Sequence, residues 1–230
     1  RRRGTPFAKA FLFVAAFVPV SGMLAGLDAL LPEYAPLASA VGLVFVLLFL
    51  RRGVSGITIL NTVLVPVLLI IVFAYTAGDY GSFYPLAPRP MAGIGGGILY
   101  AAMNVLLAAP VMMEAGAKMK NITLPALFSA LIICICAACI LRSIYREGDN
   151  AINSALPFLY VMRGNSVFYV ACALAILTSL ASALFPLLKA AERFSGKIKY
   201  AAKTVIILSA FALSRFGLHG IVQYFYPILE

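Results

Sequence analysis

Apolar runs close to the length of a bilayer crossing recur along this chain, and no other feature limits its fold as much. A membrane-spanning helix needs about 20 predominantly apolar residues. Seven such runs lie at about 6–31, 35–50, 57–77, 93–114, 124–141, 166–188 and 204–226. Apolar residues make up 63% of the 230 and charged ones 11%, against about 25% charged in a soluble domain. An aqueous fold of this size cannot hide so much apolar surface, so lipid is expected to be part of its solvent. In lipid each backbone polar group must be satisfied within the chain. The sequence therefore predicts an all-α integral membrane protein, with about seven transmembrane helices in one domain over 1–230.

The net charge of +10 invites a nucleic-acid partner, but its placement argues for none. Basic loops flanking apolar spans follow from the positive-inside rule. With a cytoplasmic N-terminus, seven crossings put thirteen basic residues on the inside: Arg1, Arg2, Arg3, Lys9, Arg51, Arg52, Lys118, Lys120, Lys189, Arg193, Lys197, Lys199 and Lys203. Four fall outside: Arg89, Arg142, Arg146 and Arg163. The expected location is the inner cell membrane, multi-pass, with the lipid bilayer and a small-molecule substrate as partners.

Chemistry is sought where polar residues interrupt apolar runs. The fourth run, YAAMNVLLAAPVMMEAG, carries Asn104, Pro110 and Glu114, and glycines crowd its entrance at 93 and 95–97. A broken backbone at membrane depth is tolerated only inside protein or along a watery cavity. The sequence predicts such a break between Tyr100 and Pro110. Asn104 can coordinate a cation or hold a polar ligand; in a kinked structural helix it would instead bond a neighbouring helix. The sixth run contains ALAILTSLASALFP, where Thr178, Ser179 and Ser182 can offer oxygens to a small hard cation, sodium above all. The competing reading is that these hydroxyls bond back to the carbonyl one turn earlier.

Other candidates weigh less. Glu114 stands four residues before Lys118, as a surface ion pair would, and Asp28 sits at the outer end of the first run. Arg215 and His219 are four apart in the seventh run, on one face if that run is a single helix. An Arg at membrane depth is costly and needs a partner. Cys136 and Cys139 form a C-x-x-C inside an apolar run with no His or acid beside it, which favours small helix-packing residues over a metal or redox pair. The glycines of GIGGG follow no strand, as a phosphate-binding loop would require. The chain holds one His, and no soluble catalytic constellation is legible. The sequence is read as a non-enzyme without organic cofactor, sodium being the possible coupling ion.

Three stretches carry a family resemblance: NVLLAAPVMMEAGAKMKN, GVSGITILNTVLVPVLLIIVFAYTAG and the closing GLHGIVQYFYPILE. They resemble the YkvI-like membrane proteins, a bacterial family similar to transporters of the LeuT fold in the amino acid–polyamine–cation superfamily. That fold is built from two inverted repeats whose first helices are broken at mid-membrane. The resemblance implies that this chain corresponds to helices three through nine, a partial inverted-repeat core lacking helices one, two and ten. It implies substrate contacts at Tyr100, Asn104, Ala108 and Pro110. It also implies a sodium site at Ala175, Thr178 and Ser179. NSALPFLYVM would match a surface helix on the outer side. The function so implied is cation-coupled secondary transport of a small, amino acid-like solute. The alternatives are a membrane ligand sensor related to germinant-receptor subunits, or a non-transporting structural subunit.

Overall fold

The computed structural model describes residues 6–77, 92–117, 121–148, 160–161 and 166–224, and among these there is no strand. Eight α-helices follow in order: α1 (Pro6–Leu30), α2 (Leu37–Leu50), α3 (Val54–Ala77), α4 (Ala92–Gly116), α5 (Thr123–Glu147), α6 (Ser166–Ala191), α7 (Gly196–Ser214) and α8 (Gly217–Tyr224). Windows within α1, α3, α5 and α6 are long and apolar enough to cross a membrane. This is the build of a polytopic helical membrane protein. Apolar α2 has 14 residues, which rise only about 21 Å.

α1 and α6 form the centre. Val20 and Leu24 of α1 meet Leu180, Leu184 and Leu187 of α6, all fully buried. Leu43 and Val46 of α2, Leu60 of α3, and Ile206 and Ala210 of α7 complete this core. Helices in lipid gain little from hiding apolar surface, so association rests on close packing, and small residues permit it. Ala16, Ala181 and Ala183 do so here. Gly42 brings α2 against its neighbours: a Cβ there would lie 2.6 Å from Leu27 Cδ1 and 3.2 Å from Leu177 Cδ2. The turn into α3 depends on Gly56, where a Cβ would lie 1.8 Å from the Phe49 carbonyl oxygen.

Two expectations about helix continuity are corrected. α4 is helical without interruption from Ala92 to Gly116, so the break predicted between Tyr100 and Pro110 is absent. A proline costs a helix one hydrogen bond, but in a membrane bundle neighbouring groups can re-satisfy the freed carbonyl. The interruption occurs instead in the run read as 204–226. α7 ends at Ser214, Arg215 and Phe216 form a turn, and α8 begins at Gly217 with φ +75°. Only glycine adopts such a φ without strain. Arg215 and His219 therefore do not share one helical face. The segment 153–159 of NSALPFLYVM, the loop 78–91 and the side chains of Glu114 and Lys118 lie outside the described residues.

Candidate functional site

A cavity of about 220 Å³ opens among four helices. Its lining follows helical spacing. α3 contributes Asn61 and Val65, α4 contributes Asn104 and Ala108, and α6 contributes Thr178, Ser179, Ser182 and Ala183, with Met23 reaching in from α1. Residues four apart share one face of a helix, so an Asn with an apolar residue four positions on, on each of two helices, and a hydroxyl-rich arc on a third make up most of the lining. The two polar clusters singled out in the sequence, one on α4 and one on α6, thus meet at one place.

Among the described residues no ionised side chain lines this cavity; their polar groups are carboxamides and hydroxyls. Thr178 Oγ1 donates to the Ala175 carbonyl at 2.9 Å, and Ser182 Oγ donates to the Thr178 carbonyl at 3.1 Å. The back-bonding expected of helical hydroxyls therefore occurs. It occupies each hydroxyl's proton and leaves oxygen lone pairs for a cation or a donor. It also engages the Ala175 carbonyl, and Ala175 is not among the lining residues. Pro186, which has no N–H, cannot donate to the Ser182 carbonyl one turn earlier.

Asn61 carries the strongest local signal. Its Oδ1 is buried and has no hydrogen-bond partner among the described residues. An unsatisfied buried acceptor costs about 1–3 kcal/mol, and native structures leave few of them without a reason. Among the lining residues Asn104 and Ser179 are exposed, whereas the Asn61 oxygen is buried. Of the residues implied by the resemblance, Asn104, Ala108, Thr178 and Ser179 come together. The side chains of Tyr100 and Pro110 are outside the described set.

A second polar cluster ties α1, α2 and α7 together. Arg215 Nη2 lies 2.6 Å from Asp28 Oδ2, donates to Ser39 Oγ at 2.8 Å and reaches Ser214 Oγ at 3.0 Å. The Ser39 amide donates to Asp28 Oδ1 at 3.1 Å. The guanidinium also stacks on Phe211, 4.4 Å from the ring centroid. Asp28, read from sequence as interfacial, is the partner that Arg215 needs. Elimination would have found it, because Asp28 and Glu114 are the only acids well inside apolar runs. His219 is exposed on α8 and takes no part in this cluster. On α5, Cys134 is exposed, Cys136 buried and Cys139 intermediate, and all are free thiols. No cluster of three or more His, Cys, Asp or Glu suited to a metal exists among the described residues.

Comparison with protein-family models, with curated proteins and with solved structures finds no match to this chain. Fold and site define a helical membrane protein with a small cavity between its helices, lined by carboxamides and hydroxyls among the described residues. The missed lining residues are Met23, Asn61, Val65 and Ala183. Asn61 was visible as a carboxamide in an apolar run, with an apolar lining partner four residues on, as Asn104 has in Ala108.

Proposed function

We propose that this chain is the core of a cation-coupled membrane carrier for a small polar solute, with its site in the cavity between α1, α3, α4 and α6. One observation carries the proposal: Asn61, Asn104, Thr178, Ser179 and Ser182 converge on one cavity that holds an unpartnered carboxamide oxygen. Neutral oxygens suit a hard monovalent ion such as sodium, and ligands without full charge hold it weakly enough to release it. A small zwitterion would use the carboxamides as donor and acceptor at once. Inner-membrane residence with a cytoplasmic N-terminus fits the sidedness of the basic residues.

A second reading, a ligand sensor, is favoured by the unbroken α4. A continuous helix offers no half-helix ends to an ion, the device on which the related carriers rely. The LeuT-type core and the YkvI-like family remain part of this proposal.

Reconstitution into proteoliposomes separates the readings. A carrier accumulates a labelled small amino acid under an inward sodium gradient, and Asn61→Leu abolishes the uptake. A sensor binds the same probe with no flux. Neither binding nor flux across amino acids, with or without sodium, would overturn both.

A further inference from the structure

At the end of the bundle away from Asp28, a larger cavity of about 390 Å³ lies between the C-terminal ends of α2 and α6 and the N-terminal half of α7. Arg51, Lys189 and Lys203 line it together with one acid, Glu192. Its walls are Leu47, Leu50, Phe185, Leu188 and Ile207. We propose that this cavity binds the phosphodiester headgroup of an anionic membrane phospholipid, with the acyl chains lying along its apolar walls.

Charge, shape and depth support this occupant. Three cations converge and a single carboxylate opposes them. Glu192 is held by Lys203 at 2.8 Å, and Lys199 approaches it at 3.9 Å. Lys189 sits 5.3 Å from the Phe185 ring centroid, so an apolar surface and a cation already adjoin, as they must beneath a headgroup. From Ser39 to Arg51 along α2, and from Lys203 to Arg215 along α7, the helix rise is about 18 Å. That is less than the roughly 30 Å of hydrocarbon, so only one of the two ends can lie in a headgroup layer. Arg215, paired with Asp28, can be held at depth, which leaves the headgroup layer to the basic end.

The neighbouring turn supports the same depth. Phe194, Ile198 and Tyr200 are exposed and alternate with Arg193, Lys197 and Lys199. Mixed aromatic and basic residues are typical of the interface. Basic pockets between transmembrane helices recognise anionic headgroups, each Lys or Arg adding about 1 kcal/mol. This site shares no lining residue with the carrier cavity, so its test does not depend on transport.

Native mass spectrometry and thermal unfolding of the full chain in nanodiscs provide the test. The probes are phosphatidylglycerol in phosphatidylcholine, phosphatidylcholine alone, and inorganic phosphate added to the latter. Phosphatidylglycerol should be retained and should raise the Tm. Lys189→Gln should weaken its binding about fivefold, and R51Q with K189Q about 25-fold. Glu192→Gln should strengthen binding, and Lys189→Arg should preserve it even if the neutral variants fold poorly. Equal retention of phosphatidylcholine would overturn the proposal. So would unchanged binding in both Lys189→Gln and Glu192→Gln, or stabilisation by inorganic phosphate alone as large as that by the lipid.

Discussion

α1 and α5 are both 25-residue apolar helices, yet they occupy different surroundings. Within its candidate span α1 has 67% of its residues buried inside the protein, whereas along α5 the buried residues are Cys136 and Ser143. α5 leans chiefly on α3. It exposes Leu127, Phe128, Leu131, Ile133 and Leu141. Such a surface in water would mark an aggregation hazard; in lipid it is ordinary. Hydropathy therefore reports that both helices belong in a membrane but not which one faces protein. The difference lies in the small and polar residues. α1 carries Pro19, Ser21, Gly26 and Asp28, which serve packing and pairing, while α5 carries no glycine and no acid before Glu147.

Several substitutions sharpen this contrast. Leu184→Ala, opposite α1 in the fully buried core, should cost about 3 kcal/mol in a reversible unfolding titration. Leu131→Asp on the outer face of α5 should fail by another route. It should cost about 3 kcal/mol of membrane insertion and show as loss of the membrane-inserted fraction. Asp28→Leu leaves Arg215 without its carboxylate and should destabilise by about 2–3 kcal/mol. Adding Arg215→Leu should recover much of that, giving a coupling energy measurable by a double-mutant cycle. Leu131→Ala should change stability by less than about 0.5 kcal/mol. A Leu131→Ala cost as large as that of Leu184→Ala would show α5 to be packed against protein and break the comparison.

The smallest expected effect concerns pH. The hydrogen bond from Lys203 holds the Glu192 carboxyl below its ordinary range, opposed by desolvation and reinforced by the charges of Lys203, Lys199 and Lys189. A lowered folded-state value stabilises the protein above the ordinary carboxylate range. That contribution is lost as pH falls through the lowered value. Because Glu192 is half exposed, the loss should be a slight downward drift of Tm, absent in Glu192→Gln.

The helices themselves were largely legible. Six of the seven expected runs match α1 to α6 to within a few residues, except for the end of α5, because run length and apolarity decide where a membrane helix can form. The seventh was misjudged because apolar residues continue on both sides of Arg215, whereas Gly217 with its positive φ marks the end of one helix and the start of another. The break expected in α4 rested on glycines and Pro110, which a membrane helix accepts within a continuous rod. Asn104 and the α6 hydroxyls stood out in the sequence as polar interruptions, and they line one cavity. Their meeting with Asn61 depends on how α3, α4 and α6 cross, a tertiary fact that no single run encodes. The Asp28–Arg215 pair, 187 residues apart, is long-range in the same sense.

The most direct test of the polar cavity is the thermal stability of the wild type and of Asn61→Leu in nanodiscs. Each is measured in sodium chloride and in choline chloride, with and without a panel of small amino acids. The account predicts that sodium, an amino acid or both raise the wild-type Tm by several degrees. In Asn61→Leu, relieved of its orphaned oxygen, the Tm should be no lower without ligand and should not respond to the probes. Indistinguishable responses of the two proteins to every probe would contradict it.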